Sequence, residues 1–146
     1  MNKKIIIGRK DIVDFPKLEL ENIPVKIDTG AYTSSIHCHH IEEIIHDGEK
    51  VIHFQLLDPE HAGYNNQTFL VTNYSRKKIK SSNGIMEERF IIFSEIKIFE
   101  KLYPIELSLN ERGSMRYPVL LGRKLLNKRF IVDTTKANLS YKQKNK

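Results

Sequence analysis

The chain has no tryptophan, a single cysteine and only seven glycines in 146 residues. One cysteine, Cys38, cannot close an internal disulfide. That excludes the disulfide-stapled secreted scaffolds and fits a reducing compartment such as the cytoplasm. Long apolar runs are missing as well. The N-terminal "KKIIIG" imitates a leader, but its apolar core is only Ile5 to Ile7, too short for a secretion signal or a membrane span. The segments "IIIGRKD" and "LLGRK" hold one glycine each, too few to cradle a nucleotide phosphate. Cys-x-x-Cys and His-Glu-x-x-His do not occur, so two common zinc signatures are absent. No long amphipathic helix is present, which argues against alternating strand–helix architecture.

Short β-rich runs are what the chain has instead. "KIIIG", "PVKID", "KVIHFQLL", "QTFLVTNY", "RFIIFSEIKIF", "LYPIELSL", "YPVLLG" and "FIVDTT" are rich in Ile, Val, Phe, Leu and Tyr. Turn residues bound them: Asp47-Gly48, Asp58-Pro59, Asn65-Asn66, Ser82-Asn83-Gly84 and Arg112-Gly113. Many short strands at near-regular spacing predict an all-β domain over residues 1–140, closed as a barrel, with at most one or two short helices. "GRKLLNKRF" is one helical candidate. "HHIEEIIHD" is the other, because Ile41, Ile44 and Ile45 recur at helical spacing. Residues 141–146, "YKQKNK", read as a disordered basic tail. The formal net charge of +6 admits acidic partners, but much of it sits in that tail and in "YSRKKIK".

Asp28 follows the strand pattern Val25-Lys26-Ile27 and precedes Thr29, Gly30 and Ala31. A carboxylate at a strand end can face a cleft. The glycine allows a tight turn, and a Thr29 hydroxyl can lock one. The plain alternative is an Asx-type turn between two strands. A later segment, "YPVLLGRKLL", places Gly122-Arg123 after an apolar run, about ninety residues beyond Asp28.

With "IDTGA" and "VLLGR" in this order, the chain resembles aspartic proteases of the retropepsin type. More closely, it resembles a bacterial family labelled ATP-dependent zinc proteases, whose domain is retropepsin-like. The matching stretches are "KIDTGAYTSSIH", "SSNGIMEERF", "YPIELSLNERGSMRYPVLLGR" and "RFIVD", spanning roughly residues 5 to 140. The resemblance implies a retropepsin-like barrel in which Asp28 is the catalytic carboxylate and Thr29, Gly30 and Ala31 form its loop. Gly122 and Arg123 support that loop from behind, and the polar hairpin between Val71 and Phe90 reads either as a flap or as an ordinary exposed hairpin. It further implies a peptide or protein substrate. An acidic tail is the expected one, since family members are linked to ligases that add glutamate to proteins. Tyr32 departs from the pattern, which usually has a basic residue after the alanine.

Aspartic-protease chemistry needs two carboxylates sharing a proton. Asp133-Thr134-Thr135 imitates the first motif but lacks the glycine, and reads as a strand-end turn. The second carboxylate is therefore expected from Asp28 of another copy, in a homodimer. No metal or cofactor is needed for that chemistry. All six histidines fall between His37 and His61, beside Cys38. Alternation along a strand puts His37 and His39 on one face and turns Cys38 and His40 away, a poor zinc set. A zinc-binding peptidase using the His37–His40 cluster, or a non-catalytic basic module binding nucleic acid, are the competing readings.

Overall fold

The computed structural model describes residues 3–61, 63–80, 83–111 and 116–146; Ser82 and the Arg112-Gly113 turn lie outside them. In chain order the strands are β1 (Ile5–Ile7), β2 (Lys10–Phe15), β3 (Leu20–Ile27), β4 (Ser34–His46), β5 (Glu49–Leu56) and β6 (Thr68–Val71). They continue as β7 (Tyr74–Lys80), β8 (Met86–Ile98), β9 (Lys101–Asn110), β10 (Val119–Leu121) and β11 (Phe130–Val132). The helices are α1 (Arg123–Leu126) and α2 (Leu139–Lys144). No described helix is long and apolar enough to cross a membrane.

Period-two patterning builds the sheet. On β3, Ile23, Val25 and Ile27 are buried while Lys26 faces out. On β8, Ile96 and Ile98 are buried and Lys97 is exposed. Two-residue turns set the register of two hairpins. Asp47 and Gly48 both have positive φ and close β4 onto β5, with His46 opposite Glu49. Phe99 and Glu100 do the same for β8 and β9, with Ile98 opposite Lys101. Neither is a residue that favours this backbone. Burial holds the turn: the Phe99 ring packs against Phe130, and its N–H donates to Ser140 Oγ at 2.7 Å.

The main sheet runs β10-β3-β2-β8-β9-β4-β5-β6, with β7 paired to β8, and β10 also pairs β4. The path β10-β3-β2-β8-β9-β4 thus returns to its start and encloses Phe15, Ile23, Ile36, Ile96, Leu107 and Val119. The all-β expectation holds, with two short helices. The closure does not: the sheet is ring-like but is not a closed barrel. The β2–β8 join carries a single register pair, Asp14 with Lys97. Strands β1 and β11 form a separate parallel pair, Ile5 with Phe130 and Ile7 with Val132.

Two further expectations are corrected. "HHIEEIIHD" is not helical but the outer half of β4, paired residue by residue with β5 from Glu42 opposite His53 to His46 opposite Glu49. The three isoleucines of the stripe do not share a buried face: Ile41 packs against the core, whereas Ile45 is 67% exposed. Branched residues ahead of an Asp-Gly turn favour the hairpin. Nor is the 141–146 segment a disordered tail. The backbone N–H groups of Ser140 and Tyr141 donate to the buried Asp11 carboxylate at 3.0 and 3.1 Å. Lys144 Nζ reaches Asp14 at 3.0 Å. A buried carboxylate without such donors is costly, and this requirement orders the segment.

Candidate active site

Asp28 stands at the end of β3, half-buried, with its own N–H donating to Leu121 O at 2.9 Å. Strand β3 runs parallel to β10 here, Ile27 opposite Leu121, so both strands stop at one level. The turn is of the Asx kind. Asp28 Oδ1 accepts from Gly30 N at 3.0 Å, and Asp28 O accepts from Ala31 N at 3.2 Å. The recorded lock is thus the aspartate's own carboxylate; Thr29 contributes its carbonyl. A Cβ on Gly30 would lie 3.3 Å from Asp28 Oδ1, so the glycine leaves room for the carboxylate above the turn.

The β10–α1 junction backs this turn through its backbone. Arg123 N donates to Ala31 O and Lys124 N to Tyr32 O, each at 2.8 Å. Gly122 N donates to Ser34 Oγ at 3.0 Å, and Arg123 Nη1 to Thr29 O at 2.9 Å. Gly122 is required by space, since its backbone conformation is ordinary extended. A Cβ there would lie 2.7 Å from Tyr32 O and 2.9 Å from Ala31 O. The half-exposed Tyr32 ring takes up Arg123, whose guanidinium carbon is 5.8 Å from the ring centre. A basic side chain at this position would face Arg123 with like charge.

Asp133 is placed elsewhere. Its N–H donates to Ile7 O on β1. Its Oδ1 accepts from Thr135 N at 2.9 Å and Thr135 Oγ1 at 2.6 Å. Those two hydrogen bonds hold its carboxyl below the usual carboxylate range. The group caps its own turn.

Beyond β10, a cavity of about 270 Å³ is lined by Ser34, Ser94, Glu106, Lys124 and Arg129 among others. Lys124 and Lys77 converge on Glu106 there. The Lys124 hydrogen bond, and then the charges of Lys124 and Lys77, hold Glu106 below the ordinary carboxylate range. In the hairpin of β7 and β8, Arg76 pairs with Glu43 and Glu88. Part of the "YSRKKIK" charge is therefore spent inside the chain.

His37 and His39 share a face, as strand alternation predicts, whereas His40, with φ 57, breaks the alternation and sets its ring edge-on to His39 at 4.9 Å. His37 is 3% exposed, and its Nε2 lies 3.0 Å from Asp58 Oδ1. His39 Nδ1 points to the same oxygen from 3.7 Å. Cys38 sits in the core, where burial first and Glu111 second push its thiol far up. His40 is exposed; His46 and His53 pair with Asp47 and Glu42. Asp58 is the residue that the sequence reading missed. It carried only the signal of an Asp-Pro turn, and its partners lie about twenty residues earlier.

Comparison with known proteins adds three findings. A family model described as RimB-like, retropepsin-like aspartic endopeptidase RimB, matches residues 6–143. Curated relatives named probable alpha-L-glutamate ligase include one from Shewanella halifaxensis, 35% identical over 140 residues, covering 93% of this chain and 30% of that protein. Another, from Parasynechococcus marenigrum, is 32% identical over 137 residues, covering 91% and 28%. The chain thus spans less than a third of the length of these relatives. The crystal structure of Lpg0085 from Legionella pneumophila, a protein of unknown function (DUF785), superposes with a TM-score of 0.69 at 22% identity. It covers 94% of this chain and 99% of that one, a likeness of fold.

Proposed function

The chain belongs to the RimB-like family of retropepsin-like aspartic endopeptidases, and from that membership we propose that it hydrolyses peptide bonds with Asp28 as the catalytic carboxylate. One chain offers one such group. The working unit is a homodimer in which two Asp28 turns meet at a two-fold axis and share a proton. The ionised carboxylate takes a proton from water, which attacks the peptide carbonyl. The protonated one hydrogen-bonds the carbonyl oxygen and later supplies the proton for the leaving amine. Neither a metal nor a nucleotide takes part in these steps.

The observation that carries the reading is the hold on the Asp28 turn. Leu121, Gly122, Arg123 and Lys124 all engage residues 28–34 through the backbone or the Arg123 side chain. A carboxylate that must face its copy within about 3 Å needs that rigidity. The β7–β8 hairpin is the proposed flap.

We take the substrate to be a glutamate-rich protein tail. The relatives' name concerns glutamate ligation, and a peptidase similar to part of such a protein would suit the bonds that a ligase makes. The net charge of +6 suits an acidic chain. The same relatives favour a second reading, in which this segment only binds the acidic tail.

Peptides ending in a run of glutamates, followed by mass spectrometry, separate the two. Cleavage by the full chain is expected. Asp28→Asn should lower the rate at least about 100-fold while retaining peptide binding. The fold should stay intact, because asparagine keeps an acceptor for Gly30 N–H. Cleavage by Asp28→Asn at the parent rate overturns the catalytic assignment. Binding by the parent without cleavage leaves the binding module.

A further inference from the structure

We propose that His37, His39 and Asp58 hold one divalent transition-metal ion of the zinc class, pinning β4 to the loop that follows β5. The three offer two imidazole nitrogens and one carboxylate oxygen, all within 4.8 Å of one another. Ligands about 2.0–2.1 Å from zinc at tetrahedral angles stand roughly 3.3–3.4 Å apart. The 3.0 Å from Asp58 Oδ1 to His37 Nε2 and the 3.7 Å to His39 Nδ1 straddle that edge.

The hydrogen bonding leaves an opening for an ion. His39 Nδ1 is buried without a hydrogen-bond partner, and 3.7 Å to Asp58 is too long to be one. The His39 ring is held between the His40 and Tyr64 rings with that nitrogen turned toward Asp58.

The backbone is shaped around the same point. Leu57, fully buried, has φ 64, a left-handed conformation that leucine rarely adopts. Its N–H donates to His37 O at 3.0 Å, and the distortion turns Asp58 back toward β4. His40, next to His39, has φ 57 and lies in the register shift of the β4–β5 pair. Asp58 N donates to His61 Nδ1 at 3.0 Å, which fixes the loop carrying the carboxylate.

Two nitrogens and one oxygen favour zinc, cobalt or nickel over calcium or magnesium. Cys38 takes no part, being buried in the core on the other face of β4. Three protein ligands leave one tetrahedral position for water. Asp28 chemistry does not pass through this site, so the proposal stands or falls independently of the peptidase reading.

The test uses the full chain stripped with EDTA, titrated calorimetrically with zinc chloride and, separately, with cobalt chloride followed by visible absorption. One ion per chain, tetrahedral cobalt bands and a raised Tm with zinc are expected. His39→Gln and Asp58→Asn should each abolish stoichiometric binding, with circular dichroism checking the fold. If Asp58→Asn does not fold, His39→Gln, at a half-exposed position, decides. His40→Gln and His53→Gln should bind as the parent does. Absence of zinc binding by the parent, or binding that survives His39→Gln and is lost in His53→Gln, overturns the proposal.

Discussion

Gly122 matters for the side chain it lacks. The carbonyls of Ala31 and Tyr32 occupy the space where a Cβ would go, and both are already hydrogen-bonded to the next two residues. Gly122→Ala should cost about 1–3 kcal/mol, because the backbone on either side must move. The displaced turn should also lower kcat/KM by up to about 100-fold, a loss not regained by assaying well below the Tm. A variant with parent kinetics would show that the turn need not be rigid. Asp28, Gly30, Gly122 and Arg123 were legible in the sequence because each lies in a contiguous motif. Asp58 was not, because its meaning depends on which strand lies across from it. The role of Tyr32 also needed the structure, since only the fold sets Arg123 against its ring.

At the scale of elements, strands with one buried face declared themselves, whereas β4 did not. Its inner half, Ser34 to Cys38, is buried throughout, and its outer half is half-buried or exposed. Neither half alternates cleanly, and three isoleucines fell by chance on a helical spacing. Strand β9 and helix α1 are tied by Glu106 and Lys124, and the Lys124 N–H in turn holds Tyr32 O. This tie has a predictable acid response. Glu106 is held below its ordinary range in the fold, so it stabilises fully above the unfolded carboxylate range. The contribution drains as pH falls through the depressed value. Glu106→Gln should therefore have a Tm roughly 1–3 °C below the parent at neutral pH. The two Tm curves should converge in acid. Calorimetry across pH tests this, and a constant gap between the curves rules it out.

For the whole molecule, the proposed chemistry makes assembly part of the site. Specific activity should fall on dilution, as dimers part into chains with half a dyad each. Mixing parent with excess Asp28→Asn should silence most parent chains, because a mixed pair lacks one carboxylate. A rate linear in protein concentration, with light scattering showing monomer, would contradict the dyad. The all-β class was readable from strand runs and turns, whereas the failure to close as a barrel was not, since it turns on the β2–β8 join with its single register pair. The pairings that complete the molecule are remote in sequence. Val25 lies opposite Val119, Ile5 opposite Phe130, and Asp11 meets Ser140 from 129 residues away. Each needs a long loop closed before any contact rewards it. Refolding should therefore take milliseconds to seconds and proceed from the β8–β9 hairpin, whose turn is local, toward the parallel β3–β10 seam. Stopped-flow recovery of activity should lag behind recovery of β-sheet circular dichroism, and simultaneous recovery would refute that order. The Asp28 turn hangs from that seam, so by this order it is the last part of the chain to take its shape.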